Sequence, residues 1–232
     1  MNLAIMQPYF LPYIGYFQLM ASVDVFVVYD NIKYTKKGWI NRNRLLMNGQ
    51  DTMFSLPLKK GADSLNIYER ELTSDFNKNK LLNQFRGAYA KAPCFKDIYP
   101  HLEGIINYHD DNLFVYLHYS LCKLAELLDI KTRIIISSSL PVDESLKGQD
   151  KVLSICKAMS AKNYINAIGG QTLYNRADFE AEGIRLNFIQ SKTMEYPQFS
   201  TPFVPWLSIV DLLMFNSLDT VRHWVNSHYS LV

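Results

Sequence analysis

Cysteine is scarce: Cys94, Cys122 and Cys156 are the only three in 232 residues, and they lie far apart. That excludes a disulfide framework and the paired spacing of a zinc knuckle. Long apolar runs are also missing. No stretch reaches the roughly 18–20 residues that a membrane-spanning helix needs. Met1-Asn2-Leu3-Ala4 lacks the charged and apolar regions of a cleavable signal, so a soluble cytoplasmic protein is expected. Charge of one sign is lacking too: 24 Lys+Arg face 22 Asp+Glu, a net charge of +2. A dedicated nucleic-acid binder is usually strongly basic, so no nucleic-acid partner is expected. The five histidines form no metal-ligand spacing, no G-x-S-x-G is present, and no metal site is assigned. There is no internal repeat.

What is abundant is apolar and aromatic. Hydrophobic residues make up 48% of the chain, enough for a full core. There are 15 Tyr and 13 Phe against 3 Trp. Tyr9, Tyr13, Tyr16, Tyr29 and Tyr34 crowd the first predicted strand ends and loops, which reads as the lining of a cleft.

The pattern along the chain is α/β. Leu3-Ala4-Ile5-Met6 and Val25-Phe26-Val27-Val28-Tyr29 are short apolar runs, as buried strands should be. Between them, Pro8 and Pro12 forbid regular structure, and residues 13–22 have a helical pattern. A β-α-β connection of this kind makes a parallel pair. Arg44 to Leu58 reads as a hairpin turning at Asn48-Gly49. Helical patterns follow at about 75–90, 95–108 and 111–128. Strands are then expected at 133–136, 164–168 and 184–189, with helices from Asp150, around 177–181, and at 207–215 and 218–227. The expectation is one domain, 1–232: an open, mostly parallel Rossmann-like sheet interrupted by a hairpin-plus-helices insertion at about 38–110, with C-terminal helices.

In such sheets ligands bind beyond the carboxyl ends of the strands. Gln7, Asp30 with Asn31, Ser137–Ser139, and Gly169-Gly170 stand at four predicted ends. Next to one of them lies the most unusual segment. Lys33-Tyr34-Thr35-Lys36-Lys37-Gly38-Trp39-Ile40-Asn41-Arg42-Asn43-Arg44 carries five cations and no acid. Arg grips phosphate or carboxylate oxygens two at a time and Lys adds point charge, so this loop is either a pocket for a diphosphate or a solvated basic edge. Lys36, Trp39, Asn41, Arg42, Asn43 and Arg44 are its candidate binding residues, and Lys37 a candidate catalytic cation. Asp30 is a candidate base or cation ligand; the alternative reading is a cap or a partner for Arg42 or Arg44. Gly148-Gln149-Asp150-Lys151, before a helix, is a weaker phosphate cradle.

The first loop is similar to the phosphate-binding loop of HIGH-type nucleotidyltransferases. In Tyr13-Ile14-Gly15-Tyr16 the isoleucine and glycine are in register, but tyrosines replace both histidines. Tyr13, Gly15 and Tyr16 are candidates on that ground, Tyr16 as a catalytic one. His118 and Cys122 share a helical face, where Cys122 reads as core rather than nucleophile.

A longer resemblance is present. Ile5-Met6-Gln7-Pro8-Tyr9-Phe10-Leu11-Pro12-Tyr13-Ile14-Gly15-Tyr16-Phe17, Tyr29-Asp30, Lys36-Lys37-Gly38-Trp39-Ile40-Asn41-Arg42-Asn43-Arg44 and Leu207-Ser208-Ile209-Val210-Asp211-Leu212-Leu213 resemble the WbqC-like family. The likeness implies a bacterial protein of surface-polysaccharide or O-antigen assembly. Asn31 stands where a second acid would be expected, which weakens a two-carboxylate metal site. Three functions are carried forward. The first is a transferase on a nucleotide-linked amino sugar, by acyl or aminoacyl transfer from an activated donor. The second is an adenylating or nucleotidyl-transferring enzyme using ATP with Mg. The third is a non-catalytic assembly module.

Overall fold

The computed structural model describes all residues, 1–232. The six-stranded sheet is ordered β5-β2-β1-β6-β7-β8, with β1 Asn2–Met6, β2 Val25–Val28, β5 Arg133–Ile136, β6 Asn163–Ala167, β7 Arg185–Ser191 and β8 Tyr229–Leu231. All neighbours are parallel except β7 and β8. From β1 the chain builds outward to β2 and β5, then returns to β6 on the other side of β1. The strand order therefore reverses between β1 and β6, the place where such sheets leave a crevice.

Both faces of the sheet are covered, which explains the unbroken apolar runs. Ala4, Phe26 and Val28 point into a 49-residue core shared with α1 Ile14–Ala21, α4 Leu113–Leu127, α7 Ile209–Phe215 and α8 Leu218–Ser227. Leu3, Ile5, Val25, Val27 and Tyr29 point the other way, into a 14-residue core with α5 Gly148–Ala158 and α6 Arg176–Ala181. Each fully buried Leu, Val or Phe contributes about 2 kcal/mol of transfer free energy.

The hairpin pairs β3 Arg42–Met47 with β4 Gln50–Ser55 and stays apart from the main sheet. Asn48 and Gly49 both have positive φ, 52° and 75°, the turn geometry that matches strand twist. Leu45, Leu46, Phe54 and Leu56 drop into the larger core, beside α2 Lys78–Tyr89 and α3 Phe95–Asn107. Side-chain oxygens of Asn77, Asn112, Ser208 and Ser217 cap α2, α4, α7 and α8. No helix is long and apolar enough to cross a membrane.

The pattern-based expectations hold for element type throughout, with ends displaced by a few residues. Four elements carried no readable signal: the three-residue edge strand β8 and the 3-10 turns at Ile67–Glu69, Ser137–Ser139 and Ile168–Leu173. All are too short for periodicity. One expectation is corrected. Tyr16, Tyr29 and Tyr34 are core residues, at most 9% exposed, rather than cleft lining. Their rings fill apolar space under the first loops; Tyr16, for example, packs 5.3 Å from Phe26.

Candidate active site at the carboxyl ends of the strands

β2 and β5 run side by side, so Asp30 and Ser137, one or two residues past their ends, come together. Asp30 is 2% exposed. Its Oδ1 accepts the Ser137 hydroxyl at 2.7 Å and the Ser138 amide at 2.9 Å. Its Oδ2 accepts the Ser138 hydroxyl at 2.6 Å. Ser137 in turn accepts the Asp30 amide at 3.2 Å and lies 2.6 Å from Asn31 Oδ1. A buried carboxylate is stable only when so provided with donors.

Lys151, on the first turns of α5, reaches the same place. It is 5% exposed, its ammonium donates to the Asn31 carbonyl at 3.1 Å, and it lies 5.5 Å from the Tyr29 ring centre. It takes part in no ion pair. His118 of α4 lies close enough to Asp30 for the carboxylate to raise its pKa, but burial outweighs that and lowers it. Cys122 lies 3.8 Å from the His118 ring, and burial pushes its thiol up. At the end of β6, Asn166 is buried against Gly170. A Cβ on Gly170 would lie 2.7 Å from Asn166 Nδ2, so that glycine serves close packing; Gly169 is exposed with open space around it.

The basic segment is placed differently. Lys36 pairs with Asp63 at 2.5 Å in solvent, and Lys37 is exposed. Arg42 Nε donates to the Gly38 carbonyl at 2.9 Å. Asn41 accepts the Tyr34 hydroxyl at 2.8 Å and donates to the Leu56 carbonyl at 2.7 Å. Asn43 donates to the Leu11 carbonyl at 2.8 Å, tying the hairpin to the β1–α1 loop. Arg44 pairs with Asp51 at 2.8 Å and donates to the Trp206 carbonyl at 3.2 Å. Its guanidinium lies 5.3 Å from the Trp39 ring centre, and Trp206 lies 5.3 Å from Tyr13. Trp39 and Trp206 are 42% and 60% exposed, so Tyr13, Trp39, Arg44 and Trp206 form one aromatic patch.

Gln7 is half-buried just past β1. Gly15 faces β7, where a Cβ would lie 2.9 Å from Ser191 Oγ. Tyr16 has a buried hydroxyl without a hydrogen-bond partner, and burial holds it well above the usual phenol range. The structure thus gathers Asp30, Asn31 and Ser137 into one cluster and Tyr13, Trp39 and Arg44 into another. No three His, Cys, Asp or Glu side chains converge anywhere.

Sequence reasoning named Ser138 only within the Ser137–Ser139 strand end and Lys151 only within the Gly148–Lys151 cradle, and gave Asp211 no role. For Lys151 the signal was a cation among the inward-facing residues Val152, Ile155 and Cys156 of one helix. Asp211 lies in the first turn of α7, fully buried, between Tyr89 and Tyr196, whose hydroxyls donate at 2.9 and 2.7 Å; Gln198 adds a third donor at 2.9 Å. An acid inside Ile209-Val210-Asp211-Leu212-Leu213 had to find such partners.

Residues 7–223 match the model of the WbqC-like protein family. The chain belongs to that family. It is also similar to the uncharacterized protein Rv1507c of Mycobacterium tuberculosis (strain ATCC 25618 / H37Rv). The two are 27% identical over 215 residues, which cover 91% of this chain and 92% of the relative. No solved structure matches this WbqC-like protein.

Proposed function

We propose that this WbqC-like protein is a transferase that moves an acyl or aminoacyl group from an activated donor to the amine of a nucleotide-linked sugar, in bacterial surface-polysaccharide assembly. The observation that carries the reading is the buried Asp30 carboxylate. It is held from one side by Ser137 and the Ser138 amide, with its second oxygen turned to the exposed Ser138. Acyl transfer to an amine needs a proton acceptor fixed at the reacting centre, and a carboxylate held in one orientation serves that need. Lys151 supplies positive charge beside it, suited to the phosphate of a nucleotide. The exposed indoles of Trp39 and Trp206 offer flat apolar faces to a sugar ring or a base.

The test is a panel of nucleotide-linked amino sugars, each offered with thioester and acyl-phosphate donors and read by product mass. One pair is expected to turn over, and Asp30→Asn is expected to lower the rate about 100-fold or more. No turnover and no binding across the panel, or an unchanged rate in Asp30→Asn, overturns the reading.

A further inference from the structure

Ser137, Ser138 and Ser139 are consecutive, yet their hydroxyls do different things. Ser137 is 2% exposed and its hydroxyl is enclosed between Asp30 Oδ1 and Asn31 Oδ1, at 2.7 and 2.6 Å. Ser139 turns back on its own strand and donates to the Ile136 carbonyl at 2.7 Å. Ser138 alone is both exposed and bonded through its hydroxyl to the buried carboxylate, at 2.6 Å. It is also the single side-chain or backbone donor on Asp30 Oδ2, whereas Oδ1 is filled by the Ser137 hydroxyl and the Ser138 amide. Asp30 is therefore locked from behind and aimed at one hydroxyl that solvent can reach. A nucleophile, a base within hydrogen-bond reach and a third group that orients the base form the arrangement that activates hydroxyl nucleophiles.

From this we infer that Ser138 is the nucleophile of the transfer and carries the acyl group as an ester on Oγ. The inference rests on the acyl-transfer reading and deepens it. In the first half-reaction Ser138 Oγ bonds to the acyl carbon of a thioester or mixed anhydride while its proton passes to Asp30 Oδ2. The bond to the donor's leaving group breaks, and Asp30 returns the proton to that group. In the second, the acceptor amine bonds to the acyl carbon and gives a proton to Asp30. The ester bond breaks, and Asp30 reprotonates Ser138 Oγ. No oxidant or further reactant is needed, and the kinetics are ping-pong.

The experiment mixes the full-length protein with p-nitrophenyl acetate, follows p-nitrophenolate release, and maps the quenched protein by peptide mass. The expected result is a burst of about one equivalent and an acetyl group on Ser138. Ser138→Ala should abolish the burst with an unchanged circular-dichroism spectrum, and Ser138→Cys should restore an adduct as a thioester. A folded wild-type protein that gives no burst, or a burst that persists in Ser138→Ala, overturns the inference. The two proposals fail separately. Transfer to an amino sugar that continues undiminished in Ser138→Ala leaves the transferase reading standing and removes the nucleophile. A Ser138 adduct that no nucleotide-linked amine discharges removes the transferase reading and keeps the nucleophile.

Discussion

Tyr89 and Asp211 lie 122 residues apart and meet at 2.9 Å, phenol donating to carboxylate, where Tyr89 joins the larger core. The same phenol oxygen accepts the Leu46 amide of β3 at 2.9 Å. Tyr196 and Gln198 approach Asp211 from the segment after β7. Four parts of the chain, namely the hairpin, α2, that segment and α7, are therefore joined through one carboxylate. Removing a single donor leaves the remaining partners buried. Tyr196→Phe is expected to cost about 1–2 kcal/mol and Asp211→Ala about 3 kcal/mol. Urea unfolding at neutral pH measures both. An Asp211→Ala loss within 0.5 kcal/mol of zero would show that this junction carries no weight.

The same carboxyl gives stability a pH dependence whose sign can be worked out. Burial raises the pKa of Asp211, and its three hydrogen bonds offset this only in part. The folded state thus holds a proton on Asp211 at pH values where the unfolded chain has released it. This contribution is complete below the ordinary carboxylate value, about 4. It is lost as pH rises through the raised folded value. Asp211→Asn, which cannot titrate, should lack that descending segment even where its overall stability is lower. Unfolding free energies of both proteins, measured at closely spaced pH values upward from about 4, give the comparison. Parallel curves would contradict the assignment.

Gly15 tests the packing of α1 on the sheet. A methyl group there would sit 2.9 Å from Ser191 Oγ, which is itself held 2.6 Å from Gln18 Oε1. The serine cannot move without losing that bond, so Gly15→Ala should destabilise by about 1–3 kcal/mol despite the better helix propensity of alanine. Adding Ser191→Gly should recover part of the loss. A thermal-melt cycle over the four proteins reads the coupling, and strictly additive effects would place the strain elsewhere.

The architecture was legible because this sheet is buried on both faces. Its strands are short apolar runs set between helical patterns, and the Asn48-Gly49 turn names its own hairpin. The convergence at Asp30 was legible for a similar reason, since parallel strands bring their ends to one edge. The bonding inside that convergence was not. Ser137 and Ser138 are adjacent and chemically identical, and only the 3-10 turn after β5 sends one inward and leaves the other exposed. Arg44 shows the same limit from the other side. As a string of letters it reads as free positive charge, but β3 sets it beside Asp51 of β4, so that charge is already paired. Lys151 was legible only as part of the Gly148–Lys151 loop, because a cation among Val152, Ile155 and Cys156 does not reveal that its ammonium reaches Asn31 past the end of β2.

Lys151 also allows stability and ligand binding to be separated. A lysine buried to this degree without an ion-pair partner is held by one carbonyl and the face of Tyr29. Its desolvation is poorly compensated in the protein alone, and its place on the first turns of α5 adds the unfavourable positive end of the helix dipole. Lys151→Met keeps the length of the side chain and removes the charge. The fold is therefore expected to gain up to about 1 kcal/mol. If the ammonium is retained to hold an anion, binding should move the opposite way. Affinity for pyrophosphate and for a nucleoside diphosphate, measured by calorimetry, is expected to fall at least about tenfold, or 1.4 kcal/mol. Opposite signs in the two measurements mark a residue kept for its ligand at the expense of the fold. A destabilised Lys151→Met protein with unchanged anion affinity would mark Lys151 as structural instead.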